Sequence, residues 1–149
     1  MRILSVILFV SCFQSFGAPS LEKPPLLLVR TSCGANDFLF EVPTARVDAL
    51  PSSQWHPESD QPPPLSLKRA CTLARAAIKL RNPELEDITI GSVRIRKSTY
   101  AKKPIWYYEV LCGATTKSPP SDLDACVPSM AIILMDGTDV EPRVVPKNQ

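Results

Sequence analysis

SLKRACTLARAAIKLRN, residues 66–82, is the stretch that decides the fold. Its apolar residues recur at steps of three and four, which predicts one amphipathic helix. Ser66 suits the N-cap, and Asn82-Pro83 predicts the end of the helix, because proline disfavours helical geometry in the residue before it. Small residues dominate the apolar stripe, so the helix can lie close to whatever it covers. The stripe consists of Leu67, Ala70, Cys71, Ala74, Ala77 and Ile78.

Strand-like runs follow this helix. They are DITIGSVRIRKSTY (87–100), PIWYYEVLC (104–112), MAIILMD (130–136) and TDVEPRVV (138–145). Val93 and Ile95 alternate with Arg94 and Arg96, which predicts a half-buried strand with a basic outer face. The run 104–112 has bulky residues on both faces and is predicted to be the central strand. We predict an α+β fold in which one helix packs on an antiparallel sheet of about four strands, with residues 140–145 at an edge.

The N-terminal part predicts an extra hairpin. LLLV (26–29) and FLFEV (38–42) flank the turn-like SCGAND (32–37). Two interpretations stay open: a hairpin at the edge of the main sheet, or a loosely packed extension held by Cys33. Residues 49–65 are rich in proline and predict an extended linker. In that linker Trp55 is expected to dock on a neighbouring surface, or to stack on a ligand.

The first residues predict export. Arg2, the apolar run 3–10 and the small residues Ser15 and Gly17 are typical of a secretory signal with cleavage after Gly17. About eight apolar residues are too few to span a bilayer, which needs about 20, so we expect no transmembrane segment. Lipid attachment at Cys12 is an alternative. The predicted division is a signal peptide (1–17), an N-terminal extension (18–48), a linker (49–65) and an α+β module (66–146), in a secreted or periplasmic protein.

Cysteine usage agrees with export. Cys33, Cys71, Cys112 and Cys126 remain after the signal, and an even set in an exported chain predicts two disulfides. The pairing Cys112–Cys126 with Cys33–Cys71 is favoured, because Cys112 and Cys126 bracket a connection between two predicted strands. The chief alternative joins Cys71 on the helix to Cys112 on the sheet.

Charge is unevenly distributed along the chain. Residues 66–103 carry ten basic and three acidic side chains, a net charge of +7, whereas the rest of the chain is −5. This asymmetry predicts an anion-binding surface, or else a solvated helix face and the solvent side of a strand. The residues expected to form such a surface are Arg94, Arg96, Lys97, Lys102 and Lys103. Interleaved aromatics that favour nucleic acid are sparse here, and an exported protein seldom meets it, so we expect no nucleic-acid partner.

No catalytic or metal constellation is apparent. The acidic residues set no defined separation for a general acid and base, and there is no C-x-x-C pair. His56 is the only histidine and falls in the linker. We therefore expect neither an enzyme nor a cofactor nor a metal site. A protein partner is the leading expectation, with Trp55 and Tyr107 as contact residues and an anionic ligand as the alternative.

The segments 66–97, 104–110 and 131–142 together resemble the PepSY-type module of exported bacterial proteins. The resemblance covers about 80 of the 149 residues. It rests on the alanine-rich helix, the aromatic middle strand and the Asp-Gly turn of the last hairpin: Ala70, Ala74, Trp106, Tyr108, Asp136 and Gly137. It implies one helix on an antiparallel sheet and a non-catalytic role, since such modules occur in protease propeptides and cell-envelope proteins and are proposed to bind or inhibit peptidases.

Cystatins offer a second comparison. They are secreted, carry two disulfides and lay a helix on an antiparallel sheet. However, this sequence has no Q-x-V-x-G segment and no Pro-Trp hairpin. Pro104-Ile105-Trp106 is only superficially similar to that hairpin. A secreted protease inhibitor of cystatin-like topology therefore remains an alternative behind a protein-binding module.

Overall fold

The described part of the chain forms two antiparallel sheets and one long helix. The structure, a computed structural model, describes residues 23–50, 55–116 and 129–147. The predicted signal peptide with Cys12, and also Cys126, lie outside these ranges. The described residues contain six strands and two helices. One sheet has the strand order β3-β4-β5 and the other the order β1-β2-β6, so the predicted α+β class is confirmed.

The long helix α2 spans Leu67–Arg81. The Ser66 hydroxyl accepts a hydrogen bond from the Arg69 amide (3.3 Å), which satisfies one orphan donor of the first turn. Asn82 ends the helix, and its own amide still bonds to the Ile78 carbonyl. The predicted helix, its cap and its end are therefore confirmed. The buried residues of the helix are Ala70, Ala74, Ala77 and Ile78, and all of these except Ala77 belong to one apolar cluster with residues of the central sheet.

α2 covers one face of the central sheet, which consists of β3 (Leu85–Tyr100), β4 (Lys103–Thr116) and β5 (Met130–Leu134). β4 lies in the middle, as its bulky residues predict. Its side chains alternate: Tyr108, Val110 and Cys112 face α2, while Ile105 and Tyr107 face the other way. Both faces of the central sheet are thus apolar and both require cover.

The second sheet covers the opposite face. It consists of β1 (Leu26–Cys33), β2 (Asn36–Val42) and β6 (Pro142–Pro146), and the short helix α1 (Thr44–Ala49) follows β2. Phe38, Phe40 and Val42 alternate along β2 toward the central sheet. The core between the two sheets contains Phe38, Phe40, Val42, Val47, Leu50, Ile105, Tyr107, Met130, Ile132, Leu134 and Val140.

The arrangement differs from the prediction in where the N-terminal hairpin and the last strand lie. The sequence predicts the last strand at an edge of one sheet of about four strands, and it leaves the hairpin either at an edge of that sheet or in a loosely packed extension. Among the described residues, the central sheet has three strands, and the hairpin forms a second sheet in which β6 pairs with β2. After the turn at Gly137 the chain pairs only briefly with β5, through a bridge between Ile133 and Asp139. It then crosses to the second sheet, because the apolar face bearing Tyr107 and Ile132 would otherwise be open to water. Among the described strands, β6 still lies at an edge.

The predicted linker lies against the sheet at Trp55. The Trp55 indole packs edge-to-face on Trp106, with centroids 5.5 Å apart at 82°. Its Nε1 donates to the Gln61 carbonyl (2.9 Å), and the Tyr108 hydroxyl donates to the Leu65 carbonyl (2.6 Å). These two bonds fix the proline-rich stretch without regular secondary structure.

The cysteines require a correction. Cys71 and Cys112 are free thiols, so neither the predicted Cys33–Cys71 pair nor the predicted Cys112–Cys126 pair is formed. Cys33 is disulfide-bonded, and its partner therefore lies outside the described residues. The reason is topological: Cys33 ends β1 in the second sheet, whereas Cys71 lies on α2 across the central sheet. Helical and strand periodicity did not reveal these opposite sides.

Candidate functional site: the open edge of β3

Among the described strands, β3 lies at an edge of the central sheet. β4 pairs with it from Leu85↔Thr116 to Tyr100↔Lys103, and within the described residues no strand pairs with its other side. Such an edge presents backbone N–H and C=O groups that a further strand can pair with. Folded proteins usually cover or disrupt long edges. A part of the β3 edge that is not covered is therefore a candidate binding site.

α2 covers the beginning of this edge. The Lys79 ammonium donates to the carbonyls of Pro83 (3.0 Å) and Leu85, and Arg75 Nε donates to the Ile88 carbonyl (3.3 Å). Residues 92–99 receive no comparable backbone bond from any described residue outside the hairpin. We call residues 92–99 the open edge.

Side chains of the open edge alternate between two chemistries. Val93, Ile95 and Lys97 pair with β4 residues on the α2 side of the sheet, and Arg94 and Arg96 lie on the opposite side. This alternation is the one predicted from the sequence. Ile95 is 41% exposed, although its cross-strand partner is fully buried. An apolar side chain on the face opposite the two arginines is therefore partly accessible to solvent.

Glu109 of β4 links the two arginines. Its carboxylate lies 3.8 Å from Arg94 Nη1 and 3.3 Å from Arg96 Nε, and the Glu109 side chain is only 11% exposed. The side chains of Arg94 and Arg96 keep 58% and 48% of their exposure. The three groups carry a net positive charge, and each guanidinium has donors to spare for a second acceptor. Sequence analysis did not place Glu109 here; counting register from a two-residue turn at 101–102 would have done so.

The three lysines of the predicted anion-binding set take separate roles. Lys97 Nζ lies 5.5 Å from the centroid of the Trp106 ring, on the α2 side of the sheet. Lys102 is exposed at the turn. Lys103 donates to the carbonyls of Val47 (3.0 Å) and Leu50 and so caps the end of α1. The five predicted cations thus share one hairpin but not one face.

Trp55 forms the wall of a cavity rather than a free surface. It is 8% exposed and lies beside Trp106. The adjoining cavity has a volume of about 350 Å³ and is mainly apolar. Its lining includes Leu50, Trp55, Pro62, Pro64, Trp106 and Met135.

Tyr107, the other residue predicted to contact a partner, lies inside the core. It is 4% exposed and its hydroxyl donates to the Leu28 carbonyl (3.3 Å). Burial raises the pKa of the Tyr107 phenol, and the neighbouring Glu109 carboxylate raises it further. The phenol is therefore neutral, and its ring holds the two sheets together instead of facing solvent.

Residues 23–50, 55–116 and 129–147 contain no group of three histidine, cysteine, aspartate or glutamate side chains that could hold a metal ion. Of the helices described, none has the length and apolar character to cross a bilayer.

Comparison with known proteins gives no match. No protein-family model, no curated protein and no solved structure matches the chain. Function must therefore be inferred from the residues of the open edge and its surroundings.

Proposed function

We propose that this chain is a non-catalytic, exported module that binds an extended segment of a partner protein along the open edge of β3. The observation that carries this proposal is the run of residues 92–99, which pairs with β4 on one side and with no described strand on the other. A peptide that joins such an edge gains main-chain hydrogen bonds, and alternate side chains set its specificity.

The side-chain pattern defines the partner segment. Acidic residues at alternate positions would meet Arg94 and Arg96, and apolar residues between them would meet Val93 and Ile95. A second copy of β3 fits poorly, since its arginines would face these arginines at close range. The occupant is therefore a strand of alternating acidic and apolar residues from another protein.

Two features support an exported setting. The N-terminal sequence is typical of a secretory signal. Cys33 is disulfide-bonded, and structural disulfides persist mainly in oxidising compartments. By the resemblance to PepSY-type modules, the partner would belong to exported peptidases or cell-envelope proteins.

A peptide-binding experiment tests the proposal. A fluorescent peptide of alternating glutamate and valine is titrated with the protein, and its anisotropy is followed. We expect saturable binding that weakens at least tenfold when alternate peptide nitrogens are methylated, because methylation removes the donors that strand pairing needs. Unchanged affinity for the methylated peptide would contradict strand addition.

A matched pair of variants locates the site. Ile95→Asp places a negative charge on the open edge, whereas Leu80→Asp places the same charge on an exposed position of α2. We expect Ile95→Asp to abolish detectable binding and Leu80→Asp to change it less than twofold. Equal losses in both variants would show that overall charge, not the edge, governs the interaction.

A second candidate function is the binding of an anionic polymer or lipid head group. It is favoured by one observation: Arg94 and Arg96 remain about half exposed although both contact Glu109. Charge-driven binding should weaken at least tenfold between about 50 and about 150 mM salt, because the Debye length shortens to about 8 Å. Binding to a polyphosphate column that behaves in this way, with no binding of the peptide, would favour this alternative.

A further inference from the structure

Two free thiols lie on elements that pack against each other, Cys71 on α2 and Cys112 on β4. Cys112 of β4 is buried with Ala70, Ala74 and Ile78 of α2 around it. Cys71 of α2 is half-buried beside Ala70. Cys112 therefore belongs to the contact between α2 and the central sheet, and Cys71 lies on α2 next to a residue of that contact.

The flank of α2 that bears Cys71 lies over the part of β3 next to Cys112. Arg75 is one helical turn after Cys71, so both project from the same flank. Arg75 Nε donates to the carbonyl of Ile88, and Ile90, two residues further along β3, pairs directly with Cys112. Cys71 thus lies on the flank of α2 that reaches β3 close to the residue paired with Cys112.

The electrostatic effects on the groups of β4 are consistent with a position of Cys71 near Cys112. The Cys71 thiol contributes electrostatically to the raised pKa of Tyr108 and of Cys112, two groups on the α2 side of β4. Burial is the main cause of the raised pKa of Cys112. Cys112 is therefore a poor first nucleophile, whereas Cys71 is accessible from solvent.

We infer that Cys71 and Cys112 form a disulfide that joins α2 to β4 once the chain reaches an oxidising compartment. The Cys71 thiolate attacks a donor disulfide, forming a mixed disulfide and releasing one thiol. The Cys112 thiol then loses its proton and attacks the Cys71 sulfur, which releases the second donor thiol. Two protein thiols are oxidised and one donor disulfide, of an exported oxidoreductase or of oxidised glutathione, is reduced.

The remaining described cysteine, Cys33, does not compete for either thiol. Cys33 is already disulfide-bonded to a cysteine that is neither Cys71 nor Cys112. The bond is independent of the proposed peptide binding. It would fasten the helix that covers the beginning of β3.

Peptide mapping tests the bond directly. The full chain is incubated with oxidised glutathione at pH 8, alkylated, digested with trypsin without reduction and analysed by mass spectrometry. We expect the peptide Ala70–Arg75, which contains Cys71, to be recovered joined to the peptide that contains Cys112. Recovery of both peptides alkylated, glutathionylated or joined to other cysteines would overturn the inference.

Melting temperatures provide a second test that does not depend on peptide mapping. Oxidation should raise the melting temperature of the wild type by several degrees, because the bond closes a long loop in the unfolded chain. Cys71→Ser, at a half-buried position, should fold and lose this difference while Cys33 stays bonded. An equal rise in Cys71→Ser would overturn the inference.

Discussion

At the scale of single residues, the second sheet carries an acid whose charge is stabilised in the folded state. Asp37 is buried on β2, accepts from Ser32 Oγ (2.5 Å) and pairs with Arg30. The hydrogen bond from Ser32 and the Arg30 guanidinium lower the pKa of Asp37. Because the folded-state pKa lies below the unfolded one, the stabilisation is complete above about pH 4 and is lost as pH falls through the folded-state pKa.

Replacing Asp37 should therefore flatten the acid limb of the stability profile. Asp37→Asn should be less stable than the wild type at pH 7, and the difference between the two should shrink as pH falls below about 4. Urea unfolding at pH 7, 5, 4 and 3 measures it. If the difference in unfolding free energy between the two proteins stays constant with pH, Asp37 stabilises the fold through packing and not through its charge.

Asp139 provides a control of opposite sign. Burial raises its pKa, although Arg81, at 3.1 Å, partly offsets that effect. A raised folded-state pKa gives stabilisation that is complete below the unfolded-state pKa and is lost as pH rises through the folded-state value. Relative to Asp139→Asn, the wild type should therefore gain stability on acidification, whereas relative to Asp37→Asn it should lose it.

The sequence predicts residue-level chemistry unevenly. Alternation along residues 93–96 correctly separates Val93 and Ile95 from Arg94 and Arg96. The same alternation cannot tell whether a face meets solvent or a second sheet. The sequence therefore predicts an accessible Tyr107, whereas in the structure the second sheet covers it.

At the scale of elements, the β3–β4 hairpin turns at two residues with left-handed backbone. Ala101 has φ 48° and Lys102 has φ 67°, and Tyr100 pairs with Lys103 across them. Two-residue hairpin turns favour positive φ because it matches the twist of the strands, and glycine or asparagine normally supplies it. Left-handed geometry costs about 1–2 kcal/mol for a residue with a Cβ atom.

Lys102→Gly should therefore stabilise the protein. We expect the free energy of unfolding to rise by about 1 kcal/mol, because glycine adopts the turn geometry without steric cost. Lys102→Ala is the matched control, since it removes the same charge but keeps a Cβ atom, and should give little gain. Urea unfolding of the three proteins decides the matter: an equal gain from alanine would assign the effect to charge.

Elements with strong local signals are predicted well. The bounds of α2 follow from Ser66 and from Asn82-Pro83, because capping and the restriction before proline act within a few residues. The assignment of β6 to the second sheet is not local. It depends on which apolar face lacks cover after the turn at Gly137, a property of the assembled molecule.

At the scale of the whole molecule, the two sheets are interlocked along the chain. β1 and β2 precede α2, whereas β6 follows the last strand of the central sheet and pairs with β2. Arg143 of β6 also pairs with Glu41 of β2 (2.8 Å). The N-terminal segment therefore completes the core of the α+β module.

A fragment without the N-terminal segment should accordingly fail to fold. Residues 55–149 lack the five buried apolar side chains that cover the second face of the central sheet, namely Phe38, Phe40, Val42, Val47 and Leu50. At about 1.5–3 kcal/mol each, their burial contributes about 10 kcal/mol, comparable with the whole stability of a typical domain, about 5–15 kcal/mol. Urea unfolding and amide NMR dispersion should show a folded 23–149 and an unfolded 55–149. A cooperative transition in 55–149 would mean that the helix and the central sheet form an autonomous module after all.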